Sequence, residues 1–179
     1  MNYAIRKAVK EDCKQIFKLM QDLVDFEKVW DDFTLNYEEF ERGGFGEDPM
    51  FRCLVAEVCQ PDSGDEKDGI VGYCLYYPIF STFEGRSIYL ENIYVSPEHR
   101  GSKLATTLIR QLSKIALKEF CCKIRFAVLH DNKLAYDLYR YLEAEDINER
   151  QNWRSMAWHN ETLQKMSAIE APKNIKIDL

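Results

Sequence analysis

The stretch whose reading decides the fold is Ser87-Ile-Tyr-Leu-Glu-Asn-Ile-Tyr-Val95, followed by Ser96-Pro-Glu-His-Arg-Gly-Ser-Lys-Leu-Ala-Thr-Thr107 and an amphipathic run to Phe120. Ile88, Tyr89, Leu90, Ile93, Tyr94 and Val95 are β-branched, aromatic or large apolar residues, which predicts a strand. Ser96-Pro97 stops it. Leu104, Leu108, Leu112, Ile115, Ala116 and Phe120 recur at steps of three or four, one face of a helix. The loop between carries Arg100 and Gly101 and leads into a helix N-terminus, where unpaired N–H groups and the positive end of the dipole attract phosphate. On spacing alone the stretch fits a pyrophosphate cradle and an ordinary strand–turn–helix with a basic loop equally well.

Working outward, Tyr3–Arg6 predicts an edge strand. Asp12 opens a helical pattern with Cys13, Ile16, Phe17, Met20, Leu23 and Val24 on one face. A short helix follows from Thr34 or Asn36 to Arg42, with Asn36 and Glu39 in a capping-box spacing. Gly43-Gly44-Phe45-Gly46 reads as a sharply turned loop ending it. Phe51–Val58 and Ile70–Tyr77 predict strands joined by an acidic hairpin loop, Gln60–Gly69, and Pro78–Gly85 leads into the central strand. Beyond the central helix come a strand at Lys123–Leu129, a break at His130-Asp131-Asn132 and a helix through Leu134, Leu138, Tyr141 and Leu142. A last strand at Trp153–Trp158 and a helix at Glu161–Met166 complete the pattern. This order predicts an α/β (α+β) mixed sheet with helices on both faces.

The 179 residues predict one domain over 1–166, with a loosely held tail at 167–179. A net charge of −6 argues against nucleic acid as main partner and suits a cationic ligand. No apolar run approaches the ~20 residues that span a bilayer, and the N-terminus lacks a signal-peptide core; a cytoplasmic protein is expected. The six cysteines form no CxxC pair and have no matching histidines, so reduced core thiols are expected in place of disulfides or zinc, and no metal site.

With these residues in view the chain resembles the GNAT superfamily of N-acetyltransferases. Tyr-Leu-Glu-Asn-Ile-Tyr-Val and His-Arg-Gly-Ser-Lys-Leu-Ala resemble its acetyl-CoA motif, Arg/Gln-x-x-Gly-x-Gly/Ala. Gly-Phe-Gly-Glu-Asp-Pro at 44–49, Cys-Leu-Val-Ala-Glu-Val at 53–58, Val-Gly-Tyr at 71–73, Tyr-Leu-Glu at 89–91 and Asp-Leu-Tyr at 137–139 are similar to the spermidine/spermine (diamine) N-acetyltransferases. Ser-Thr-Phe-Glu-Gly-Arg at 81–86 leans toward the branch known for thialysine acetylation. The likeness runs from about residue 3 to 166.

The resemblance implies the GNAT acyl-CoA N-acyltransferase fold, a mixed, mostly antiparallel central sheet flanked by helices on both faces. It implies acetyl transfer from acetyl-CoA directly to a primary amine of a small diamine, polyamine or lysine analogue, in a homodimer; the charge and hydropathy above lead to the expectation of neither nucleic acid nor membrane as partner. Ile93, Tyr94 and Val95 would meet the pantetheine arm. Arg100, Gly101, Ser102, Lys103, Leu104, Ala105 and Thr106 would hold the pyrophosphate, and Asn132, Lys133, Leu134 and Ala135 the rest of the cofactor. Tyr139 matches the general acid that protonates the leaving thiolate, and Glu91 a carboxylate that helps deprotonate the amine through water. Phe26, Glu27, Asn92 and Gln151 match substrate-side positions.

The chain departs from the family at Lys103, where the cofactor loop has glycine, and at Asn92 and Gln151, where acids are usual. It also departs at Glu143, where glycine ends the Tyr139 helix, so that a different helix end is expected. These departures make a catalytically impaired CoA-binding or interaction module the competing expectation.

Overall fold

A computed structural model of the chain describes residues 1–59, 69–148 and 155–169. The chain forms two compact units, 1–133 and 134–179.

The first unit is built on a five-stranded sheet in the order β1-β2-β3-β4-β5. The strands are β1 (Asn2–Lys7), β2 (Arg52–Cys59), β3 (Ile70–Ser81), β4 (Gly85–Val95) and β5 (Ile124–Arg125). β1 to β4 are antiparallel to their neighbours, and β5 joins β4 in parallel. The mixed, mostly antiparallel sheet is the one expected. α1 (Cys13–Glu27) and α2 (Tyr37–Phe45) cover one face, α3 (Leu104–Lys118) the other.

Alternation along the strands builds both cores. Val55, Tyr73, Leu75 and Tyr94 pack with Ile16, Met20, Leu23 and Phe40 under α1 and α2. Leu54, Cys74, Tyr76, Ile88 and Leu90 pack with Leu104, Leu108 and Leu112 of α3. The α3 leucines keep the predicted period, and burying each contributes about 1.5–3 kcal/mol. Arg6 closes the β1 end: it pairs with Asp12 at 2.6 Å and Glu57 at 2.8 Å, while Asp12 also accepts the Val9 N–H.

Several local expectations change. Gly43 and Gly44 lie inside α2, not in a turn. Their role is clearance, because a Cβ on Gly44 would stand 2.4 Å from the Phe51 ring. The segment from Pro78 is no leader into β4 but the outer half of a long β3–β4 hairpin, Pro78 opposite Ile88. Proline is tolerated there because β2 ends its pairing at Tyr76. Phe120, expected on the buried helix face, is 92% exposed and lies beyond α3 at φ 58°. The strand expected at 123–129 shrinks to Ile124–Arg125. Residues 155–158 form no strand, while Trp153 and Arg154 fall outside the described residues, as do most of the predicted 60–69 loop and residues 170–179.

The second unit contains α4, which starts at the boundary (Lys133–Tyr141), and α5 (Asn160–Ser167). Glu143 does not end α4 differently from a glycine. It takes φ 64°, its N–H donates to the Arg140 carbonyl, and the Ala144 N–H donates to the Tyr139 carbonyl. That is the Schellman ending that glycine usually supplies. Phe120 and Lys28 end α3 and α1 in the same left-handed conformation, with 6→1 bonds from Cys121 to Ala116 and from Val29 to Val24.

Candidate active site

The site begins with a defect in the sheet. Leu75 lies opposite Asn92 and Tyr76 opposite Leu90, so Glu91 is an extra residue in β4. A bulge of this kind reverses the alternation beyond it. Leu90 and Ile93, three apart, both reach the α3 core, while Glu91 and Asn92, adjacent in sequence, both line a cavity on the opposite face.

The bulge also decides which backbone groups of β4 are left open. The Ser96 N–H donates to the Val71 carbonyl at 2.9 Å. By alternation the peptide groups of Tyr94 and Asn92 face β3, and those of Ile93 and Val95 face the other side. There β5 pairs only with Ile88 and Tyr89, so beyond Tyr89 it no longer covers β4. Val95 gives its carbonyl to Arg100 Nε at 3.0 Å.

The loop after β4 supplies the second feature. Lys103 caps α3 at φ 65°, ψ 15°, and no side chain caps the N–H groups of that first turn. Thr107 N–H is the first to be taken, by the Lys103 carbonyl at 2.9 Å. The N–H groups of Leu104, Ala105 and Thr106 thus converge at the positive helix end. Lys103 holds the left-handed shape that glycine would adopt freely. Ser102 and Thr107 turn their hydroxyls inward to the carbonyls of His99 and Lys103. Arg100 turns back, its guanidinium 4.8 Å from the Phe26 ring and 5.6 Å from the Tyr94 ring. An open strand edge beside an uncapped helix start fits an extended ligand ending in a diphosphate.

The third feature is the cavity, about 600 Å³, between the α1–α2 side and the sheet. Met20, Leu23, Phe40, Phe51 and Leu75 make its apolar wall; Glu27, Asp32, Glu91, Asn92, Tyr73 and Tyr77 bring polar groups, with no Lys or Arg among the described lining residues. Tyr77 donates its hydroxyl to Glu91 Oε2 at 3.0 Å and stacks on Tyr89 with ring centroids 5.4 Å apart. Burial, then the Glu91 carboxylate, pushes the Tyr77 phenol up to about 12. Glu27 accepts from Asn132 Nδ2 at 2.9 Å, which ties the end of α1 to the turn before α4. Tyr73 is fully buried, and its hydroxyl has no hydrogen-bond partner among the described residues. Burial holds this phenol well above its ordinary value, so it stays protonated. An unpaired buried hydroxyl costs about 1–3 kcal/mol.

The predicted residues therefore fall into groups. Glu27, Glu91 and Asn92 share the cavity, whereas Phe26 lies under Arg100 and is not among the lining residues. Ile93, Tyr94, Val95 and 100–106 form the edge and loop. Leu134, Ala135 and Tyr139 belong to the second unit, with Tyr139 half-buried in α4. Gln151 lies outside the described residues. Tyr73 and Tyr77 were not anticipated, though their i, i+2, i+4 spacing with Leu75 signals one strand face. No group of three or more His, Cys, Asp or Glu side chains among the described residues could hold a metal. No helix among them is long and apolar enough to cross a membrane.

Residues 17–143 match the acetyltransferase (GNAT) family. The chain belongs to it. This acetyltransferase is 40% identical over 163 residues to the thialysine N-epsilon-acetyltransferase of Sus scrofa, covering 91% of the chain and 96% of that protein. It is 30% identical to a human spermidine/spermine N(1)-acetyltransferase-like protein 1, over 92% of the chain and 24% of that longer protein. Its fold is shared with a ribosomal-protein-alanine N-acetyltransferase from Brucella melitensis biovar Abortus 2308, at TM-score 0.62 and 20% identity over 88% of this chain and 99% of that one. GNAT acetyltransferases use acetyl-CoA, and the open β4 edge and uncapped α3 turn of this acetyltransferase suit that cosubstrate.

Proposed function

We propose that the protein transfers the acetyl group of acetyl-CoA directly to a primary amine of a lysine analogue of the thialysine type or of a short diamine. The observation that carries this is a cavity lined by Glu27, Asp32 and Glu91, with no Lys or Arg among the described lining residues, beside an open strand edge, in a chain 40% identical to a thialysine N-epsilon-acetyltransferase. Three carboxylates attract ammonium groups, and Asn92 in place of an acid favours a smaller cation over a long polyamine.

Acetyl-CoA supplies an activated acyl carbon. In the proposed reaction Glu91, held by Tyr77, draws the proton from the ammonium through a water, which frees the nitrogen lone pair. The nitrogen attacks the acyl carbon, the carbon–sulfur bond breaks, Tyr139 gives its proton to the departing sulfur, and the second proton lost by the nitrogen replaces it through solvent. Ile93 and Val95 offer main-chain groups to the pantetheine arm, with Tyr94 between them. Arg100 and the 101–106 turn hold the diphosphate, and Asn132, Lys133, Leu134 and Ala135 the remainder. Phe26, Glu27, Asn92 and Gln151 receive the amine. We further propose one acetyltransferase domain over 1–166, a cytoplasmic location and a homodimer, the last checked by light scattering.

The test is thiol release from acetyl-CoA with thialysine, lysine, short diamines, spermidine and spermine. The expected result is turnover highest with thialysine or a short diamine and reduced by Glu91→Gln and by Tyr139→Phe, with CoA binding retained. No turnover with any of these amines would overturn the proposal.

A further inference from the structure

The cavity contains a polar atom that the proposed reaction does not use. Tyr73 is fully buried and lines the cavity, yet its hydroxyl finds no partner among the described residues. Phenylalanine would fill the same space without burying an unpaired polar atom. Tyr77, on the same strand face, differs: its hydroxyl is engaged by Glu91. The idle hydroxyl is therefore not a general feature of this wall.

Resting on the reading that the cavity takes an amine, we propose that Tyr73 is a specificity-determining residue: its hydroxyl, together with Glu27, receives the second, non-reacting ammonium of a diamine or lysine-type substrate. Charge favours this occupant, because the described lining residues include the carboxyl side chains Glu27, Asp32 and Glu91 and no Lys or Arg. A phenol that stays protonated still offers lone pairs to an ammonium N–H, and Glu27 supplies the countercharge. Glu27 and Tyr73 line the same cavity, and the Glu27 carboxylate adds to burial in raising the Tyr73 phenol.

Spacing agrees. Tyr73, Leu75 and Tyr77 alternate on one strand face, and Glu91 lies opposite the step from Leu75 to Tyr76, so Tyr73 stands about 8 Å along the strand from Glu91. The cavity thus has a deprotonating end and a recognition end, and an amine whose second nitrogen lies several bonds from the first can address both. The hydroxyl is closed to bulk water. A ligand reaches it by displacing a side chain that shares the lining, which includes Met20, whose unbranched chain repacks readily.

The experiment is calorimetric titration of 1,4-diaminobutane and of n-butylamine into the wild-type chain and into Tyr73→Phe, with a melting curve of each. The wild-type chain is expected to prefer the diamine. Tyr73→Phe should lose about tenfold or more of that preference, leave n-butylamine unchanged, and melt no lower than wild type. A preserved preference, an equal loss for both amines, or no binding of either would overturn the proposal. So would a lower melting temperature, which would show the hydroxyl to be paired inside the free protein. Because binding and not turnover is read, loss of preference in a chain that acetylates neither amine would retain the Tyr73 contact and discard the proposed reaction.

Discussion

Replacing Lys103 by glycine should stabilise the protein without tightening its hold on CoA. Lys103 sits at φ 65°, ψ 15° before α3. A side chain in that region costs about 1–2 kcal/mol relative to the right-handed form. Glycine removes the strain but gives back about 0.4–1 kcal/mol of unfolded-state entropy. The net gain is about 0.5–1 kcal/mol, which for a chain of this size raises the melting temperature by about 1–4 °C. Binding follows different arithmetic. The loop already has the glycine shape, so the strain is present with and without ligand and cancels from the affinity. What glycine removes from the bound state is a cation near the diphosphate, about 1 kcal/mol at short range in high dielectric, or roughly fivefold in Kd. Calorimetry at low and high salt together with a melting scan measures both. Lys103→Gly should melt higher and bind CoA a few-fold more weakly, with the difference fading in high salt. Lys103→Ala should show the same loss of affinity without the thermal gain. Tenfold tighter binding by the glycine variant would refute this and mark the lysine as an obstruction.

Asp12→Ala should destabilise the protein by about 2–3 kcal/mol in urea melts, since it strips Arg6 of its 2.6 Å partner and the Val9 N–H of its acceptor at a site only partly open to solvent. Gly44→Ala would place a Cβ 2.4 Å from the Phe51 ring, and an expected loss of about 1–3 kcal/mol should come with weaker amine binding, because Phe51 also forms the cavity wall. Tyr77→Phe should lower kcat/KM about tenfold by releasing Glu91. Its pH profile should keep the same alkaline limb up to pH 10: the Tyr77 phenol is raised to about 12, so it is protonated throughout that window and loses no proton there.

Much of the frame was legible because it rests on periodicity. The α3 leucines at steps of four and the alternation in β2 and β3 signal burial directly, and the burial they signal is what forms the elements. Features set by tertiary approach were not. Gly43 and Gly44 carry the composition of a turn yet extend a helix, because what they accommodate is a ring seven or eight residues later. Residues 126–129 look apolar enough for a strand, but β5 leaves β4 after two pairs. Lys103 and Glu143 stand at positive φ where glycine is the ordinary choice. Local propensity argues for altered backbone at both positions, whereas the surrounding hydrogen bonds hold the glycine geometry. In the site, Glu27 and Glu91 could be proposed from motifs. Tyr73 stands in the Val-Gly-Tyr motif, yet no role follows from that, because an unpaired hydroxyl becomes visible only when its neighbours have been placed.

The bulge at Glu91 ties these features together. A regular β4 would send Asn92 toward α3 and Ile93 toward the cavity, a one-residue slip that inverts every side chain beyond it. It would bury an amide in the α3 core, place an isoleucine among carboxylates, and turn the peptide groups of Ile93 and Val95 back into β3. One extra residue therefore sets three things at once: the pairing of Glu91 and Asn92 in the cavity, the continuity of the α3 core through Leu90 and Ile93, and the open main chain facing away from β3. Such coupling explains why the strand that carries the proposed deprotonating carboxylate, Glu91, also presents the edge proposed for the cosubstrate. Removing one of residues 90–92 should therefore abolish binding of both ligands together, where a local defect would remove only one.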